Sequence, residues 1–225
     1  CFTDGTQVSS LVAACDYKRI GEGDTGPNTG GMGSYSPPIF WDHDLERNVK
    51  ELVFLPVIRA MADRGMPYSG VLYAGLMLTR TGPMVIEFNA RLGDPEAQAI
   101  LPRLQTDLID LIQSVVHGGL EDLELQWSPD FTVGVVLVSS GYPGSYETGK
   151  QISGLDEVRQ GAALFHAATD VTADGGVITA GGRVLTLVAW GSELSTVRKL
   201  AYDSISGICF DGAFYRTDIA RLSPE

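Results

Sequence analysis

A chain of 225 residues, 44% hydrophobic and 20% charged, can bury one sizeable core or two modest ones and has an ordinary globular composition. Its net charge of −12 argues against a general nucleic-acid binder, whose phosphate contacts need a basic surface. No run of about 18 apolar residues offers a membrane span and no signal-peptide pattern is present, while Cys1, Cys15 and Cys209 lack CxxC spacing; the cytoplasm, a reducing compartment, is the expected location.

The sequence opens at Cys1 on a strand-like stretch, Phe2 to Val12, that passes through the turn pair Asp4-Gly5. This stretch needs partner strands, so the sequence reads as one that begins inside a domain. Residues 13–36 hold a cationic knot and then a glycine-rich loop. Residues 42–64 have helical apolar spacing, with Asp42 as N-cap and Pro56 as a kink or break. Gly70 to Thr79 reads as a buried strand, Gly82-Pro83 as a turn and Met84 to Asn89 as the second strand of a hairpin. Asp94-Pro95 opens a helix with Asp94 as its cap, and a further helix runs from Thr106 towards Gly118. Trp127-Ser128-Pro129 is the candidate boundary. Beyond it lie short strands near 131–139, 163–168, 177–179, 183–190 and 208–215, interrupted by one helix at about 193–206.

Two stretches carry chemistry. On the strand from Met84 to Asn89, alternation sends Met84, Ile86 and Phe88 into the core and Glu87 and Asn89 outwards together, with Arg91 joining them if the strand continues. A carboxylate and an amide oxygen roughly 7 Å apart on one rigid face suit Mg²⁺, and Arg91 adds a forked donor for phosphate or carboxylate. Alternation alone also fits an edge strand with a solvated polar face. The second stretch is Asp16-Tyr17-Lys18-Arg19 followed by residues 21–33, in which six of thirteen are glycine. Such backbone offers N–H groups to anions and predicts a lid ordered by ligand, although a flexible surface loop has the same composition. It is not a P-loop, since GxxxxGK[ST] is absent. His43, His117 and His166 lie far apart, and no Ser–His–Asp or Cys–His arrangement stands out.

D-Y-K-R, G-P-N-T-G-G-M-G, L-Y-A-G-L-M, V-I-E-F-N-A-R and G-D-P-E occur here in an order and spacing that resembles the phosphoribosylamine–glycine ligases. G-Y-P-G, F-H-A and G-G-R-V-L further on are similar to that family's C-terminal domain. The resemblance implies an α+β fold: the second half of an ATP-grasp domain, an antiparallel sheet with helices, over residues 1–126, then a small β-rich domain over 128–225. It implies ATP-dependent ligation of glycine to 5-phosphoribosylamine through a glycyl phosphate, in purine biosynthesis, with ATP as co-substrate and Mg²⁺ or Mn²⁺ as metal. Glu87 and Asn89 are then the metal ligands, and Arg91, Lys18 and Arg19 the catalytic cations. Asp16, Thr25, Gly26, Pro27, Asn28, Thr29, Gly30, Gly31, Gly93 and Asp94 fall in the segments that bind substrate or phosphate. An acidic metal position of other ATP-grasp enzymes is Gly75 here, which leaves fewer protein ligands for the metal. Partners are then ATP, glycine and phosphoribosylamine, without nucleic acid or membrane. A complete active site also needs an N-terminal region outside these residues. Another ATP-grasp carboxylate–amine ligase, or a non-catalytic fragment, are the alternatives.

Overall fold

The structure is a computed structural model and describes residues 1–222. In chain order the strands are β1 (Phe2–Asp4), β2 (Cys15–Asp16), β3 (Arg19–Gly21), β4 (Thr25–Asn28), β5 (Gly33–Ser36), β6 (Ser69–Val71), β7 (Tyr73–Thr79), β8 (Gly82–Asn89), β9 (Phe131–Val138), β10 (Ala162–His166), β11 (Thr169–Val171), β12 (Val177–Thr179) and β13 (Arg183–Gly191). The α-helices are α1 (His43–Val49), α2 (Leu55–Asp63), α3 (Glu96–Ile100), α4 (Leu108–His117) and α5 (Leu194–Ile205). Strand pairing is antiparallel throughout, so the fold is α+β with antiparallel sheets, as expected. Among the described residues no helix is long and apolar enough to cross a membrane.

The chain forms two compact units that are interleaved in sequence. The first comprises residues 1–13, 38–93 and 104–128; the second comprises 14–37, 94–103 and 129–225. The glycine-rich loop and the 94–103 segment pack with the C-terminal strands. The cause is visible in the sheet: β2 pairs with β5 and β5 with β9, giving a five-stranded order β10-β13-β9-β5-β2.

In the second unit β9 is buried along nearly its whole length, as a central strand covered on both faces must be. Helix α5 presents Leu194, Val197, Ala201 and Ile205 at helical spacing to Leu137, Leu185 and Leu187. The strand expected near 208–215 is reduced to single bridges, Cys209 to Ser153 and Phe214 to Val138, with a turn between them.

In the first unit Asp42 does cap α1, accepting from the Leu45 N–H at 2.8 Å. The expected single helix continues through a π turn at Lys50–Phe54 into α2. Pro56 cannot donate to residue 52, and the widened turn just before it absorbs that loss. Val49, Val53, Phe54 and Ile58 pack with Val8, Leu11 and Leu72. Strand β1 finds its partner in β6, and Phe2 packs with Leu111 and Val115 of α4.

Candidate active site

The expected metal strand is β8, in the first unit. It pairs with β7, placing Gly75 opposite Glu87, Ala74 opposite Phe88 and Tyr73 opposite Asn89. Alternation therefore holds from 87 to 89, and Glu87 and Asn89 share a face. It fails just before. The register slips between Gly75 and Leu76, so Val85 pairs with Leu76 and Ile86 is left as the extra residue of a bulge. Met84, Ile86 and Phe88 do not enter a core: they are 56%, 63% and 40% exposed. The bulge breaks the common facing of the three, and β7–β8 is a two-stranded ribbon with exposed apolar residues on both strands.

Gly75 matters to Glu87. A Cβ built on Gly75 would lie 3.2 Å from Glu87 Cγ, so a larger residue there would push that side chain aside by a few tenths of an ångström. The donor set is one carboxylate and one amide oxygen, both hard ligands, beside a space kept clear by Gly75; this suits Mg²⁺ with its other positions left to water and phosphate. Among the described residues no group of three or more His, Cys, Asp or Glu could hold a metal. Arg91 is exposed, and its Nη1 donates to the Leu92 carbonyl at 2.8 Å. Gly93 closes this segment of the first unit.

The glycine-rich loop lies in the second unit and is held by hydrogen bonds from the chain itself. Strands β3 and β4 form a small hairpin in which Thr25, Gly26, Pro27 and Asn28 are exposed. Arg19 Nη1 donates to the Gly26 carbonyl at 2.6 Å, across the hairpin. Thr29 donates to the Lys18 carbonyl through N–H (2.7 Å) and Oγ1 (2.8 Å). Gly31 has φ +116°, and a Cβ there would sit 2.3 Å from Pro95 Cδ, so no other residue fits. Residues 29–33 are thus a packed turn.

Lys18 Nζ pairs with Asp16 Oδ2 at 2.9 Å. The Asp16 side chain is only 10% exposed. Burial first, then the neighbouring Glu96 carboxylate, raise its pKa to about 6, against the opposing pull of Lys18. The ionised carboxylate carries charge of the same sign as a phosphate, and it is paired with Lys18.

Asp94 is not the cap of α3. The helix begins at Glu96 with Pro95 at the N-cap position and no side-chain cap. The Asp94 carboxylate instead takes a forked pair from Arg183, Nη2 to Oδ2 at 2.8 Å and Nη1 to Oδ1 at 3.2 Å, and accepts from Gln98 Nε2 at 3.0 Å.

Three supporting residues escape a reading of the sequence. Arg183 and Tyr142 lie in G-G-R-V-L and G-Y-P-G, stretches noticed without a role. Arg216 is the third, and an R-x-D spacing to Asp218 is its one local signal. Its guanidinium is 1% exposed and stacks 5.0 Å from the Tyr17 ring centre. It donates to both Asp218 oxygens at 2.7 Å, to Asp24 Oδ1 at 2.9 Å and to the Arg19 carbonyl at 2.9 Å. Burial works against the charge, but the two carboxylates outweigh it and raise the Arg216 pKa; in return Arg216 holds the Asp218 carboxyl below its usual range. An open pocket beside it is lined by Glu22, Asp24 and Asp218, whose carboxylates are bound to Thr217 or Arg216.

Residues 1–97 match the phosphoribosylglycinamide synthetase ATP-grasp (A) domain, and residues 132–222 match the C domain of the same synthetase. The chain belongs to the phosphoribosylglycinamide synthetase family. A phosphoribosylamine–glycine ligase from Caldanaerobacter subterraneus subsp. tengcongensis is 47% identical over 219 residues, 97% of this chain and 52% of that protein. The trifunctional purine biosynthetic protein adenosine-3 of Gallus gallus is 46% identical over 221 residues, 97% of this chain and 22% of that protein. The crystal structure of phosphoribosylamine–glycine ligase from Thermotoga maritima superposes with a TM-score of 0.85 at 35% identity, covering 96% of this chain and 53% of that one. This synthetase-family chain thus spans about half the length of the single-function relatives it matches. The family's A and C segments are consecutive in sequence, whereas the compact units interleave.

Proposed function

We propose that this chain works in the ATP-dependent ligation of glycine to 5-phosphoribosylamine, giving glycinamide ribonucleotide, ADP and phosphate in cytoplasmic purine biosynthesis. The observation that carries the reading is the Glu87–Asn89 pair on one face of β8 over Gly75, within a chain of this family. A glycine carboxylate oxygen attacks the γ-phosphorus of ATP, ADP leaves, and a glycyl phosphate forms. The amine of phosphoribosylamine then attacks the acyl carbon, loses a proton and expels inorganic phosphate. Such phosphoryl transfer depends on positioning and charge neutralisation, without a protein nucleophile.

Glu87 and Asn89 are the residues that would hold Mg²⁺, or Mn²⁺, which would supply positive charge to the phosphates of ATP. Arg91 offers a planar fork to a phosphate or carboxylate oxygen. Lys18 and Arg19 bring cationic charge to the Thr25–Gly31 turn, with Asp16 fixing Lys18 and Arg19 bracing Gly26. The Gly93-Asp94 turn contributes through its backbone, since the Asp94 carboxylate is committed to Arg183 and Gln98. Catalysis requires the region of the relatives that this chain does not cover.

The test joins this chain to the half of the Caldanaerobacter ligase that it does not cover and introduces Glu87→Gln. Loss of about 3–4 kcal/mol of transition-state stabilisation lowers kcat by on the order of 10²–10³. Half-saturating Mg²⁺ rises, while the melting temperature stays within about a degree because the side chain is exposed. Near-normal turnover with an unchanged Mg²⁺ requirement refutes the assignment.

A further inference from the structure

Arg183 opens β13, and its side chain reaches beyond its own sheet. The β13–β9 register slips between Arg183 and Leu185, which leaves Val184 as the extra residue of a bulge beside the paired Arg183. Its guanidinium then reaches four acceptors on two other segments of the second unit. These are the Gly30 carbonyl at 2.9 Å, the Asp94 carbonyl at 3.0 Å, and the two Asp94 carboxylate oxygens. The opposite polar group of Gly30 is satisfied as well, its N–H donating to Tyr142 Oη at 2.9 Å. Tyr142 can lie there because residue 182 is glycine: a Cβ at that position would fall 2.3 Å from Tyr142 Cδ2. Gly30 likewise carries no side chain where Arg183 Cζ passes, 3.0 Å from the site of a Cβ.

Tyr142 and Arg183 therefore both act on one point, the Gly30 turn, and Arg183 ties that turn to Asp94. We infer that Arg183, assisted by Tyr142, is a positioning residue that locks the Gly30 and Asp94 turns together and cancels the charge of Asp94. This rests on the reading of these turns as substrate-binding. A planar fork is needed for it: lysine carries the charge but cannot bridge two carboxylate oxygens and two carbonyls at once.

Amide hydrogen exchange on this chain tests the lock itself. Arg183→Ala should speed exchange at Gly30 and Gly31 by about ten-fold, and Tyr142→Phe at Gly30 by a similar factor, with the amides of β9 unchanged. Steady-state kinetics of the joined enzyme test its purpose. Arg183→Ala should lower kcat/KM by roughly 10- to 100-fold, Arg183→Lys should recover little, and Arg183→Ala with Asp94→Asn should regain about ten-fold by removing the bared carboxylate. Unchanged exchange at Gly30 overturns the lock, whether or not the joined enzyme ligates glycine. Faster exchange with unaltered kcat/KM, or a double variant no better than Arg183→Ala, overturns the positioning role. Absence of turnover in the unsubstituted joined enzyme counts instead against the ligase reading, with the exchange result still deciding the lock.

Discussion

The two candidate site regions are built in opposite ways. The turn at residues 29–33 is braced from several sides within its own unit, by Arg183, Tyr142 and Pro95, while Arg216 secures the hairpin that leads into it. The strand that carries Glu87 and Asn89 is half of a two-stranded ribbon, with Met77, Leu78, Met84, Val85, Ile86 and Phe88 exposed. Glycine content alone suggests the reverse, a loose loop and a firm strand. The difference teaches that order depends on what surrounds a segment: long-range hydrogen bonds outweigh the entropy of a glycine-rich backbone, and a two-stranded ribbon that meets the core through Ala74 and Leu76 has less to hold it.

The firm side breaks most severely at Arg216. Arg216→Met leaves Asp218, whose side chain is 13% exposed, without its counter-charge, and should cost about 3–5 kcal/mol in urea unfolding. Since Arg216 depresses the Asp218 pKa, that contribution is full above the unfolded carboxylate range and fades as pH falls through the lower folded value. The variant and the parent should therefore converge in stability in strong acid. A loss below about 1 kcal/mol at neutral pH would mean that the cluster is incidental to the loop.

Asp16 gives an intermediate effect of opposite sign. Its folded pKa, raised from 3.8 to about 6, means that the folded state resists ionisation. Stability is lost as pH rises from the unfolded value through about 6, up to roughly 3 kcal/mol once ionisation is complete. Asp16→Asn should thus gain on the parent between pH 4 and pH 7, as read by thermal unfolding at both values. An equal difference at the two pH values would contradict a raised pKa.

The smallest effect belongs to the ribbon. Ile86→Thr in this chain alone should change stability by no more than about 0.5 kcal/mol, because the side chain is 63% exposed. A loss of 2 kcal/mol would show that β8 is packed more firmly than its exposure indicates.

What the sequence made legible follows the same division. Glu87 and Asn89 are two residues apart, so strand alternation alone places them on one face, and the Asp42 cap shows itself three residues from its target. The bulge at Ile86 was not legible, because register slips depend on the partner strand. Nor were the braces: Tyr142 meets Gly30 across 112 residues, Arg183 meets it across 153, and Arg216 meets Arg19 across 197. Asp94 misled for a related reason. Asp-Pro before a helix is a capping pattern, but a guanidinium from a distant strand competes for the carboxylate and wins with a forked, charge-assisted pair.

Glycine-dependent release of ADP in the presence of phosphoribosylamine and Mg-ATP measures the central claim most directly, made on this chain alone and on the chain joined to the uncovered half of the Caldanaerobacter ligase. The predicted result is no turnover above background for the chain alone and sustained turnover, lost on omitting glycine, for the joined protein. Sustained turnover by the chain alone, or ADP release indifferent to glycine in the joined protein, would contradict it.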